Sequence, residues 1–153
     1  MRVYYCRSRS VSSYFIRFVT WSAWSHVAIA LPSYPDIIVE STFLANGVRE
    51  TLLSKFMKKH RVVRWVDYTI PDETAAEHFL SDQLGKPYDV GGALGFLFRR
   101  QWDSDRRWFC NELFEAAAVA GGVSRWRSNS LNRISPGASY ANLLGSAPLG
   151  VAK

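Results

Sequence analysis

Two runs of alternating, β-branched residues, SHVAIAL at 25–31 and IIVESTF at 37–43, flank the segment PSYPD. Two prolines and an aspartate break both helical and strand periodicity. The segment therefore reads as a turn, and the runs as the arms of an antiparallel hairpin. Alternation sends Val27, Ile29 and Leu31 to one face and His26, Ala28 and Ala30 to the other. A register that sets His26 across from Glu40 puts an imidazole beside a carboxylate, and a slip of two leaves them diagonal neighbours on one face. A carboxylate so placed holds the ring's tautomer and supports its charge. The bland alternative has Glu40 pointing to solvent and His26 as a satisfied edge histidine.

Other segments extend the pattern. RVYYC at 2–6, GVRETLL at 47–53 and RVVRWVDYTI at 61–70 read as strands, with Asn46-Gly47 as a turn and KFMKK at 55–59 left unassigned. A helix over 10–20 has Ser10 or Ser12 near its cap. A second opens at Pro71-Asp72-Glu73, with Asp72 as cap, runs to Leu84 and stops at Gly85; Ala76, Phe79, Leu80 and Leu84 form its buried stripe. A third spans 110–121, with Cys110, Phe114, Ala117 and Gly121 on one face, and ends at Gly121-Gly122. The rest, through Ser135-Pro136-Gly137, is expected to be irregular with one more short helix. Strands early and helices late predict an α+β fold with an antiparallel sheet, and 153 residues fit a single domain over 1–153.

Several classes are set aside. The longest apolar run, VGGALGFLF at 90–98, is about half the length of a membrane-spanning helix. MRVYYCRSRS has charge but no apolar run behind it, so no secretory signal is read. The chain is expected to be cytoplasmic as synthesised, reaching a virion or the cell exterior only by another route. Two cysteines, Cys6 and Cys110, give no disulfide framework. With three scattered histidines there is no metal-ligand spacing, and no cofactor is expected. The net charge of +6 is concentrated at 55–64, 99–107 and 125–133. It suits an anionic polymer or lipid headgroup, or is simply a solvated basic surface. No nucleic-acid module is recognisable, although Trp102, Trp108 and Trp126 lie among the arginines.

In RRWFCNELFEAA (106–117), Cys110 stands in the first turn of its helix. Unpaired N–H groups and the positive end of the dipole favour a thiolate there and can stabilise an oxyanion. From the helix alone Cys110 reads as a core cysteine, because a nucleophile needs a base. His26 is the candidate base. His60, in KKHR, reads as part of a solvated basic turn, and His78 as exposed.

Together these segments resemble a known family. GKPYDVGG at 85–92 is similar to the Pro-Tyr-x-x-Gly-Gly loop of NlpC-type cell-wall cysteine peptidases, in the papain-like superfamily. Trp24-Ser25-His26-Val27 precedes the cysteine rather than following it. That order resembles the circularly permuted branch, with its YiiX-type and lecithin:retinol acyltransferase-like members. IIVEST at 37–42 matches that branch's second strand, Phe109-Cys110-Asn111-Glu112-Leu113 its nucleophile helix, and Ile134-Ser135-Pro136 a short tail motif. The resemblance implies a permuted papain-like fold with the sheet packed against helices and the nucleophile at a helix N-terminus. It implies Cys110 as nucleophile, His26 as base and Glu40 as third member. Tyr88 would assist the oxyanion, with Trp24 and Ser25 beside the substrate. It further implies amide cleavage through a thioester, in cell-wall peptides, and a bacterial or phage origin. A lipid acyl-ester hydrolase or acyltransferase on the same triad is the alternative. A non-catalytic module binding an anionic polymer is a second. Three departures stand out: Asn111 where a serine is usual, Asp89-Val90 in place of a more aromatic pair, and an Arg/Trp-rich insertion at 97–107, expected to cover the cleft or touch substrate.

Overall fold

The β-branched and aromatic runs of the first half form strands, and they are the framework on which every other element rests. The computed structural model describes residues 1–43, 47–89, 107–126, 134–145 and 149–151. The apolar run at 90–98, the insertion up to 106, Asn46 of the expected turn and residues 127–133 of the last basic cluster lie outside them.

The elements in chain order are β1 (Arg2–Arg7), α1 (Val11–Thr20), β2 (His26–Leu31), β3 (Tyr34–Thr42), β4 (Gly47–Leu52), α2 (Leu53–Lys59), β5 (Val62–Asp67), α3 (Glu73–Gln83), α4 (Cys110–Ala120), α5 (Pro136–Leu144) and β6 (Leu149–Val151). Among the described residues the strands form one six-stranded sheet in the order β4-β3-β2-β1-β5-β6, and each neighbouring pair is antiparallel. The fold is α+β and permuted papain-like, as the resemblance implies. No helix among the described residues is long and apolar enough to cross a membrane.

Alternation sorts the sheet into two faces. Val3, Tyr5, Val27, Ile29, Leu31 and Val39 meet Leu113, Phe114 and Ala117 of α4 and Ala76 and Leu80 of α3. Tyr4, Cys6, Ala28, Ala30 and Ile38 meet Phe56 of α2 on the other face. The segment left unassigned at 55–59 is thus most of a helix, with Phe56 as its buried anchor.

Three expectations need correction. The turn of the first hairpin is only Pro32-Ser33: Tyr34, Pro35 and Asp36 already belong to β3, and the register shifts between Ala30 and Leu31. Leu84 is exposed, because with ψ 136° it has left the helix and the helical period no longer places it; Gln83 is buried there instead. Arg125, expected in a basic surface cluster, is half-buried, with its side chain only 8% exposed. It pairs with Glu115 at 2.6 Å, bonds Ser139, and lies 5.0 Å from the Phe114 ring centre and 5.2 Å from that of Tyr68.

The loop after α3 is sewn to β4. Val48 N–H donates to the Lys86 carbonyl at 2.9 Å, and Gly85 N–H to the Val48 carbonyl at 2.9 Å. Gly47, at φ 147°, makes this approach possible: a Cβ there would stand 2.1 Å from the Lys86 carbonyl oxygen. Gly85 is also at positive φ, 79°, but a Cβ on it would meet open space. Gly47→Ala should therefore cost roughly 2–4 kcal/mol, from backbone strain plus displacement of the loop, and Gly85→Ala about 1 kcal/mol. Thermal unfolding of the two variants checks this; equal losses would contradict it.

Candidate active site

β2, β3 and β4 lie side by side, so side chains on one face of their adjoining ends meet. β2 and β3 pair Ile29 with Val39 and Ala30 with Ile38. This is two residues away from the register in which His26 would face Glu40, so the two are diagonal neighbours. They still touch: His26 Nε2 and Glu40 Oε2 are 2.8 Å apart. On the other side β4 pairs Arg49 with Glu40. Arg49 donates to Glu40 Oε1 through Nη2 at 2.8 Å and Nε at 3.1 Å, and the Thr51 hydroxyl donates to the same oxygen at 2.9 Å.

Glu40 is only 1% exposed. Burial alone would raise its pKa, but the hydrogen bonds from His26, Arg49 and Thr51 hold it well below the usual carboxylate range. For His26 the balance has the same form. Burial would lower its pKa; the hydrogen bonds with Cys110 and Glu40 outweigh that, and the ring is pushed up to about 9. An imidazole between a thiol and an ionised carboxylate is held charged in the neutral range.

Cys110 reaches this point from α4, which packs on the opposite face of the sheet through Leu113, Phe114 and Ala117. Polar ties fix its first turn. The Phe109 N–H donates to Glu112 Oε2 at 3.3 Å, and Asn111 Nδ2 donates to the Ile134 carbonyl at 3.1 Å. The Ser41 hydroxyl, on β3 next to Glu40, donates to the Trp108 carbonyl at 2.7 Å. Asn111, a departure from the family's usual serine, thus anchors α4 to the chain just before α5. The Cys110 thiol is buried with Tyr88 and Phe109. Tyr88 is fixed by its backbone: Asp89 N–H donates to the Trp108 carbonyl at 3.2 Å and Trp108 N–H to the Pro87 carbonyl at 3.1 Å.

Above His26 and Tyr88 opens a cavity of about 330 Å³, walled by Ser13 and Ile16 of α1, Phe43, and Lys59 and His60 at the end of α2. Ser25 also lines it, but its hydroxyl accepts from Ser13 at 2.7 Å and reaches the Cys6 carbonyl at 3.4 Å, so it braces strand ends. Trp24 does not line it; its ring packs 5.0 Å from Tyr140 and 6.4 Å from Tyr5. The structure brings Cys110, His26, Glu40 and Tyr88 together, keeps Ser25 at the edge, and turns Trp24 into packing.

Sequence reasoning missed three neighbours. Arg49 and Thr51 alternate along β4 and become visible only once β4 is paired with β3. His60 is not in a solvated turn. α2 carries its ring over Phe56, 4.5 Å between centres, and against His26, 5.8 Å apart and nearly parallel at 23°. Burial first, and then the charge on His26, push the His60 pKa down to about 3, so it stands as a neutral plate beside a charged one. Both of its ring nitrogens are buried without a hydrogen-bond partner. Among the described residues no three His, Cys, Asp or Glu side chains gather as metal ligands.

Among solved structures the chain is similar to metalloprotein yiiX from Escherichia coli O157:H7, at 19% identity and a TM-score of 0.64, over 99% of this chain and 94% of that one. At that identity the likeness bears on the fold. No curated protein matches. Residues 3–135 match the family model described as permuted papain-like amidase enzyme, YaeF/YiiX, C92 family. The chain therefore belongs to the permuted papain-like amidases, a family of hydrolases.

Proposed function

We propose that this protein is a thiol hydrolase that cleaves an amide bond, with Cys110 as nucleophile, His26 as acid–base and Glu40 as the group that orients the ring. One observation supports the reading above the others: a single imidazole is held between a thiol and a buried, ionised carboxylate. Glu40 occupies Nε2, which leaves Nδ1 for Cys110.

The steps follow from that arrangement. His26 already holds the proton, and the Cys110 sulfur attacks the substrate carbonyl carbon as the thiolate. Negative charge moves to the carbonyl oxygen. The Cys110 N–H, in the first turn of α4, and the hydroxyl of Tyr88, which is buried with Cys110, are assigned as its donors. Burial first, and then the Cys110 and Asp89 charges, push the Tyr88 pKa well above its ordinary value, so the phenol keeps the proton it donates. The imidazolium then protonates the leaving amine and a thioester remains. Water, giving its proton to His26, attacks the thioester, releases the acid and restores the thiolate beside the charged ring. The similar solved structure is that of a protein described as a metalloprotein. Here His26 Nε2 is committed to Glu40, and among the described residues no three His, Cys, Asp or Glu side chains gather as a metal-ligand set.

The amide is read as one in a cell-wall peptide, in keeping with the amidase family. Ile16, Phe43 and Tyr88 give the cavity an apolar side, and this favours a second reading, a lipid acyl ester attacked by the same thiol.

Cys110→Ala should lower turnover of a peptidoglycan-fragment amide, or of a phospholipid ester on the second reading, by on the order of a thousandfold or more, with thermal unfolding unchanged within a few degrees. Unchanged turnover in that variant would end the proposal and leave a binding module on the same scaffold. The raised His26 pKa has a consequence for stability. A cation whose pKa is higher in the folded state stabilises the fold fully below the ordinary 6.5, and that contribution is lost as pH rises through about 9. Urea unfolding of wild type and His26→Ala, at about pH 6 and about pH 10, should show wild type losing up to about 3 kcal/mol more than the variant. A difference that does not change with pH would contradict it.

A further inference from the structure

Helix α1 is amphipathic the wrong way round. Val11, Tyr14, Phe15, Phe18 and the capping Trp21 recur at three- and four-residue spacing and share one face, and that face meets solvent. Val11 is 86%, Phe18 79% and Trp21 93% exposed. The inward side carries Ser13, buried and bonded to Ser25 at 2.7 Å. A surface helix ordinarily turns its apolar stripe to the core. Trp21 adds a second oddity. It caps the helix at φ 49°, in the left-handed region where glycine is the default, so a large ring is held in solvent at a conformational cost.

Charge selects what covers the stripe. Residues 1–35 contain four arginines and no Asp or Glu. Residues 53–61, LSKFMKKHR, carry Lys55, Lys58, Lys59 and Arg61, again without an acid. These two segments share a rim, because Arg9 and Lys59 line the same cavity as Ser13 and Ile16 of α1. A second copy of the chain seated on the stripe would bring like charges together. An anionic bilayer surface satisfies both features: aromatic rings settle at the boundary between headgroups and acyl chains, and lysine and arginine meet the phosphates.

We propose that α1 is a membrane-surface helix that docks on anionic lipid through Val11, Phe18 and Trp21, with the basic rim and the cavity mouth turned to the headgroups. The docking goes beyond the thiol chemistry and does not rest on it.

Co-sedimentation of the full chain with phosphatidylcholine vesicles, with and without phosphatidylglycerol, tests it. Binding should be about tenfold or more tighter with phosphatidylglycerol and should weaken with salt. The double variant Phe18→Ser/Trp21→Ser should lose about tenfold or more of it. Tyr34→Ser, an exposed aromatic at the far end of the hairpin, and Cys110→Ala should bind as wild type, which separates this surface from the catalytic reading. Equal binding to both vesicles, or a double variant that binds as well as wild type, would overturn the proposal. So would a dimer in sedimentation velocity that the double variant dissociates, since a second copy would then cover the stripe.

Discussion

A carboxylate in the middle of a sheet is the constraint around which this site is arranged. Glu40 lies on β3 between two strands that each send it a partner, His26 from β2 and Arg49 from β4, with Thr51 completing the set. Removing any partner would leave a buried charge short of a hydrogen bond, which is among the more costly events in a protein interior. The charge is therefore tied to the sheet's register, and the register to the hydrophobic alternation that separates the two faces. His26 is aimed because Glu40 is held.

The thiol arrives by a different route. α4 is seated on the far face by Leu113, Phe114 and Ala117, and its start is steered by Asn111, Glu112 and the Ser41–Trp108 bond. Its lower half is braced by Glu115, which gathers Arg125 and Ser139, while Ser139 also meets the Tyr5 hydroxyl on β1. Burial raises the Glu115 pKa, while Arg125 and Ser139 oppose that. The two halves of the proposed catalytic pair thus come from opposite faces of one sheet and meet at its end. The basic residues divide in the same spirit. Arg49, from the surface, and Arg125, from a mostly covered position, neutralise buried carboxylates, and Arg9 and Lys59 stand at the cavity rim.

What the sequence disclosed followed from short-range rules. The His26–Glu40 contact was legible because the alternation of SHVAIAL and IIVEST survives a slip of two, which is the slip that occurred. Asp72 was legible as a cap, and Ser10 as one of two candidates with Ser12, because the residue types preferred there are few; Asp72 and Ser10 each accept from the N–H three residues on. What was hidden depends on neighbours distant in sequence. Arg49 gains its meaning from the β3–β4 pairing, and Arg125 from a carboxylate ten residues back. His60 looked like a solvated turn because KKHR is charged, and only the helix under it turns its ring onto His26. The helix over 10–20 was anticipated, but which side faces water is set by Ser13 and Ser25 bonding inward, a polar contact that overrides the apolar stripe.

The central claim is that Cys110 and His26 act as one chemical unit. The measurement that tests it most directly is the rate at which Cys110 is alkylated at neutral pH, in a Cys6→Ala background, with and without His26→Ala. Cys6 is buried on β1, paired across from His26 of β2, and alanine there leaves a single thiol to follow in both variants. Rapid alkylation that falls by about tenfold or more when His26 is removed is the expected result. A slow thiol whose rate is indifferent to His26 would contradict the account and make Cys110 a core residue.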